Sequence, residues 1–178
     1  MIDKVLNFWF KELQPKMWWI KDTALDEKIK RRFGTLHERI RQGECDSWRT
    51  SAKGALAEII VLDQFSRNMF RGTPDSFVSD SLALALAQGA IERGYRSDLG
   101  EEENHFLIMP FMHSESKVIH QRALELFAEL GNESALKFEK QHKAIIDRFG
   151  RYPHRNEILG RKSTPEELEF LTKPGSSF

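Results

Sequence analysis

Apolar residues recur at spacings of three and four along almost the whole chain, and no stretch alternates with period two. A chain patterned this way specifies helices and needs no sheet. The spacing predicts a first helix from Asp3 to Glu12, stopped by Pro15. A second opens at Asp22 or Thr23, with Leu25, Ile29, Phe33, Leu36 and Ile40 as its apolar stripe and Gly43 as its stop. A third follows Ser51 to about Phe70, and a fourth, rich in leucine and alanine, runs from Ser79 or Asp80 to Ala90, where small side chains would let a neighbour approach closely. The fifth covers Glu101 to Met112, with Pro110 expected to kink it or end it one residue early. The sixth spans Glu115 to Leu130, capped by Ser114, and the seventh runs from Ser134 to Phe149. A short eighth opens at Thr164, with Pro165 in its first position and Glu167 placed to reach back.

The expected fold class is therefore all-α: seven or eight helices joined by short loops, forming antiparallel hairpins in a compact right-handed bundle or short solenoid. A length of 178 residues suits one domain, 1–178. Gly150 to Ser163 is the one long irregular segment, and a loop of that size is either functional or pinned by packing.

Charge and cysteine usage narrow the function classes. Lysine and arginine number 27 against 27 acids, which argues against a protein that coats nucleic acid or an anionic membrane. The longest apolar run, Phe106 to Met112, contains a proline and falls far short of the roughly 20 residues a membrane span needs. A single cysteine, Cys45, allows no internal disulfide and no thiolate metal cluster, so a reducing cytoplasmic setting is expected. No nucleophile elbow, phosphate loop, dinucleotide fingerprint or H-E-x-x-H pattern is present, and no cofactor or metal is expected.

Three polar segments interrupt the apolar pattern. In the third helix Leu56, Ile59, Ile60 and Phe70 share a face while Val61, Leu62, Phe65 and Met69 cover much of the rest, so the helix should be central and buried. Yet Asp63 and Arg67 stand one turn apart on it, beside Gln64, Asn68 and Arg71. A lone buried charge costs several kcal/mol, so this set forms either a structural ion pair or the wall of a polar cavity. The second segment runs from Arg148 to Lys162, with four arginines and one lysine against the single acid Glu157. Arginine forks grip carboxylate or phosphate, and the Thr164 helix start adds free N–H groups; the plainer alternative is a loop whose arginines cap helix ends. The third is His113-Ser114-Glu115, where a histidine and a carboxylate could act as base and orienter, or simply mark a helix start. His142, on the stripe of Phe138, Ile145, Ile146 and Phe149, reads as a hydrogen-bonded core histidine. If the terminal Phe178 docks, its carboxylate would suit the arginine-rich segment.

These segments also carry a resemblance. Val5–Phe10 (VLNFWF), Leu62–Gly72 (LDQFSRNMFRG), Pro110–Glu115 (PFMHSE), His142, Arg148–Asn156 (RFGRYPHRN) and Ile158–Pro165 (ILGRKSTP) resemble the uncharacterised proteins grouped as domain of unknown function 924. The resemblance implies an all-α fold related to tetratricopeptide-repeat proteins and brings no activity, substrate or catalytic residue. Ser66 stands where that family often has proline and Tyr152 where it often has phenylalanine; neither change alters the charged set.

The expected function is binding of an anionic small molecule or a peptide C-terminus in an arginine-rich pocket. Asp63, Arg67, Asn68, Arg71, His113, Arg151, His154, Arg155, Asn156 and Arg161 are the candidate ligand-binding residues. One alternative is a hydrolase or transferase using His113 and Glu115 on an anionic substrate. Another is a purely structural protein-interaction domain in which these residues are packing networks.

Overall fold

The computed structural model describes Met1 to Ser177, and the expectation for Phe178 lies outside the described residues. These residues contain α, 3-10 and π segments and no strand, so the chain is all-helical. They fall into two compact units: Met1–Arg71 with Asp75–Pro110, and Gly72–Pro74 with the chain from Phe111 onward.

The first unit opens with α1 (Ile2–Asn7), which runs on through a π-turn at Phe8–Glu12. That turn brings Phe8 into the core beside Val5 and Trp9, all three no more than 1% exposed. Helix α2 (Thr23–Arg41) is capped by Asp22, whose carboxylate accepts the Ala24 and Leu25 N–H groups at 2.9 and 3.2 Å. Its predicted stripe from Leu25 to Ile40 is buried, with His37 added to it.

Ser51 caps α3 (Ala52–Ile60) by accepting the Gly54 N–H. A Cβ at Gly54 would lie 2.0 Å from the Trp48 carbonyl oxygen, so only glycine lets the preceding 3-10 turn sit this close. The expected third helix is continuous but not uniform: α3 passes into a π-turn at Val61–Phe65 and then α4 (Ser66–Met69). Counting α3 and α4 as one helix gives eight α-helices among the described residues, the upper end of the expected number. Helix α5 (Asp80–Glu92) packs on α3 and buries Ala83, Ala87 and Ala90, the close approach its small residues predicted. An aromatic chain links these elements, with ring centroids 5.1 Å apart for Phe8–Phe33, 4.9 Å for Phe33–Phe65, 5.6 Å for Trp9–Phe65 and 5.4 Å for Trp9–Phe106.

Helix α6 (Glu101–Met112) carries the chain from the first unit into the second, and it does not stop before Pro110. In the second unit α7 (Lys117–Glu129) and α8 (Glu133–Phe149) form a hairpin closed by Gly131 at φ +75° and capped by Asn132. Ala123, Leu126 and Phe127, spaced by three and one along α7, are fully buried. The α7 cap is Ser116 rather than Ser114, because Glu115 is drawn away from the helix start to partners described below. Phe138, expected on the buried face of α8, is 52% exposed, whereas Ile145 and Ile146 are buried and pack with Tyr152 and the partly buried Phe149 and Phe170. Helix α9 (Pro165–Leu171) starts on the capping box the sequence announced: Glu167 N–H to the Thr164 hydroxyl and Thr164 N–H to the Glu167 carboxylate.

Candidate functional site

The two units divide the candidate residues. Asp63, Arg67, Asn68 and Arg71 belong to the first, and His113, Glu115, Arg151, His154, Arg155, Asn156 and Arg161 to the second.

In the first unit the π-turn at Val61–Phe65 sets the geometry. Asp63 is 1% exposed and accepts from Arg67 Nη1 at 3.2 Å and from Gln64 Nε2 at 2.6 Å. The Arg67 guanidinium also donates to the Asp63 carbonyl and forks onto Asp80 of α5 at 2.9 and 3.0 Å. One turn on, Asn68 and Arg71 both donate to Asp26 of α2, Arg71 through two nitrogens at 2.7 and 2.9 Å. Bidentate arginine–carboxylate pairs are the strongest and most directional of such contacts. Here they tie α4 to α2 and to α5. Behind them His37 Nε2 lies 2.7 Å from Ser66 Oγ, which itself donates to the Leu62 carbonyl, so this serine proton is committed to the helix. Burial and the Arg41 charge push His37 down to about 4 against the pull of Asp75, which keeps it neutral near pH 7.

In the second unit the segment from Gly150 to Ser163 is folded around its arginines. Arg148 donates to Glu166 at 2.8 Å, Arg151 forks onto Glu167 at 2.6 and 2.7 Å, and Arg161 forks onto Glu115 at 2.5 and 2.9 Å. The positive excess read from the sequence is thus largely matched by carboxylates from outside the segment. Asn156 braces the turn, accepting from Arg161 Nε and donating to Ser163. The Arg151 hydrogen bonds hold Glu167 down to about 2, outweighing its burial. Glu115 accepts the Tyr152 N–H at 2.8 Å in addition to Arg161. Burial acts to raise its carboxyl, but the Arg161 and Tyr152 hydrogen bonds and the Arg161 and Arg155 charges together hold it below the usual range. A carboxylate so engaged is a structural clamp on the segment.

Tyr152 is the centre of what remains. Its ring is fully buried, and its hydroxyl donates to the Met112 carbonyl at 2.5 Å and lies 3.2 Å from His120 Nε2. His142 and His154 pack on it with centroids 5.8 and 5.6 Å away, and the Arg155 guanidinium stands 4.5 Å over its face. His142 Nδ1 donates to the Phe138 carbonyl at 2.8 Å, the hydrogen-bonded core histidine expected from its stripe. Burial pushes His142 down to about 3, and the neighbouring His113, His120 and His154 push the same way against the pull of that carbonyl. His113 and His154 are half-buried and reach the surface, whereas Arg155 is 6% exposed.

The sequence reading missed a pair at this place. His120 Nδ1 lies 2.7 Å from Glu139 Oε1, both residues fully buried. The signal was available: Ala135, Glu139, His142 and Ile146 recur at four, three and four along α8, so Glu139 sits on the buried stripe. No group of three or more histidine, cysteine or acidic side chains among the described residues is disposed to hold a metal ion, and no helix among them is long and apolar enough to cross a membrane.

The chain is thus an all-helical protein in which paired carboxylates and arginines brace each unit and imidazoles collect around one buried tyrosine. Residues 5–175 match the model of the bacterial proteins of unknown function DUF924, and the chain belongs to that family. It is similar to the solved structure of a protein of unknown function from Agrobacterium tumefaciens, with 39% identity, a TM-score of 0.91 and 96% of each chain covered. No curated protein matches it.

Proposed function

We propose that this protein is a binding protein for an anionic group, a carboxylate or phosphate, taken by the second unit at His113, His154 and Arg155. The observation that carries the reading is the gathering of His120, His142, His154 and the Arg155 guanidinium about Tyr152, with His113, His120 and His154 all acting on His142. Their effect on His142 is unfavourable to any further positive charge, and a bound anion reverses that sign. Arg151, Arg161 and Asn156 hold the segment in shape through Glu167, Glu115 and Ser163. Ligand classes that fit are small phosphorylated or carboxylated molecules and peptide C-termini, which share this chemistry.

The test is thermal stability against a panel of inorganic phosphate, di- and tricarboxylates and short peptides with free or amidated C-termini. A ligand at a hundredfold its Kd adds about 2.7 kcal/mol of apparent stability. The expected result is a rise in Tm with at least one anion class that is lost in His154→Ala and Arg155→Gln but kept in Arg71→Ala of the first unit. Equal rises in all variants, or none in the parent protein, contradict the reading.

A second reading, a structural interaction domain without a ligand, draws on a specific observation. Arg67, Arg71, Arg151 and Arg161 each fork onto a carboxylate of their own unit. It predicts that no anion in the panel alters Tm beyond its general salt effect.

A further inference from the structure

The buried hydrogen bond between His120 and Glu139 belongs neither to the anion contacts at His113, His154 and Arg155 nor to the arginine–carboxylate networks, and the hydrogen bonds of the pair fix where its protons are. His120 Nε2 lies 2.8 Å from the Ser114 carbonyl oxygen, which can only accept. The nearby Tyr152 hydroxyl has its own proton on the Met112 carbonyl, so its oxygen too faces Nε2 as an acceptor. Nε2 therefore carries a hydrogen. At the other end of the ring, Nδ1 and Glu139 Oε1 stand 2.7 Å apart, a distance that requires one more proton between them. Either the imidazole is doubly protonated beside a carboxylate, or a neutral carboxylic acid donates to a neutral imidazole.

The remaining oxygen decides between the two. Glu139 Oε2 is buried and has no hydrogen-bond partner among the described residues. A carboxylate stranded with one oxygen unmatched in a site with no exposure is far costlier than the carbonyl oxygen of a neutral acid. We infer that the α7–α8 hairpin is latched by a neutral Glu139 carboxylic acid donating to neutral His120, so that the second unit loosens when this proton is removed.

The Glu139 carboxyl is shifted in the direction the geometry requires. Burial raises the Glu139 carboxyl above its ordinary value, against the opposing pull of His120 and Lys143. The groups about the pair are Lys143 on α8, whose ammonium is held by Asp147, His142 on the same helix, and Tyr152 from the following segment. His113 and His154 complete the surroundings through their effect on His142. Of these, only Lys143 and a protonated histidine favour the carboxylate. A folded-state affinity raised above the unfolded one gives stability that is complete at low pH and is lost as pH rises through the folded value.

Two measurements on the full chain test the latch. Nitrogen-15 NMR of the His120 ring at neutral pH is expected to show Nε2 protonated and Nδ1 as an acceptor; both nitrogens protonated, the signature of an ion pair, overturns the inference. Infrared spectra are expected to contain the carbonyl stretch of one buried protonated carboxyl group, absent from Glu139→Gln. That variant, whose amide donates to Nδ1 in the acid's place, should also lose the fall in Tm that the parent shows as pH is raised. A parent protein with no protonated carboxyl at neutral pH refutes the latch whether or not the variant folds.

Discussion

The Asp63–Arg67 network of the first unit and the Tyr152 cluster of the second both answer the same question, how a helical core tolerates polar groups, and they answer it differently. Around the π-turn the groups are permanent charges of opposite sign joined by forked hydrogen bonds, with Arg67 and Asp80 reaching toward solvent at 20% and 15% exposure. Around Tyr152 the groups are mostly imidazoles with a phenol and a carboxyl, and the buried ones, His120, Glu139, His142 and Tyr152, are held by unforked hydrogen bonds to one another and to main-chain carbonyls. Permanent pairs fix geometry over a broad pH range. Titratable groups make the stability of the second unit depend on pH.

The comparison is broken most severely by removing its centre. Tyr152→Ala deletes a fully buried ring on which two histidines and Arg155 pack, and it should cost about 3–5 kcal/mol in denaturant unfolding. Tyr152→Phe removes only the hydroxyl, with its hydrogen bond to the Met112 carbonyl and its contact with His120 Nε2, and should cost about 1 kcal/mol. In the first unit, Asp63→Ala takes from Arg67 and Gln64 the buried carboxylate they share, leaving Arg67 to Asp80 and the main-chain carbonyl at that position and Gln64 to Met109 Sδ, and a loss of about 2 kcal/mol is expected by the same measurement. A loss below that of Tyr152→Phe would mean that Asp80 and the main-chain carbonyl suffice to hold Arg67.

Acid sharpens the contrast. His142 is held at about 3 and His37 at about 4, both below the ordinary 6.5, so each contributes stability that is present above 6.5 and lost as pH falls toward its folded value. Glu139 has the opposite sign, losing stability as pH rises. His142→Leu should flatten the acid limb of a Tm-versus-pH curve down to about 3, and an unchanged slope would remove His142 from the account. The smallest effect is expected at α9, where Thr164→Ala removes one half of the capping box at a cost of about 1 kcal/mol.

The sequence revealed the helices because stripes such as Leu25 to Ile40 obey one period, and the α9 start because Thr164, Pro165 and Glu167 are adjacent. It was less clear in the third helix, where the π-turn inserts a residue into the ladder and rotates every later face, so a constant-angle wheel places Asp63 and Arg67 imprecisely. The arginine-rich segment misled for another reason. Charge counted along the chain ignores partners from elsewhere, and the acid that answers Arg161 is 46 residues away at Glu115. Glu139 and His120, 19 residues apart on two helices of one hairpin, were each on a visible stripe, but their meeting depends on the register of the hairpin.

The central claim is that the second unit takes an anion at His113, His154 and Arg155. Histidine-resolved proton–carbon NMR during titration with inorganic phosphate, and then with a C-terminal peptide carboxylate, tests it most directly. The account predicts saturable shifts of the His113 and His154 ring resonances with at least one of the two anions, while His37 of the first unit stays still. Ring resonances of His113 and His154 that do not move with either, or that move in step with His37, would contradict it.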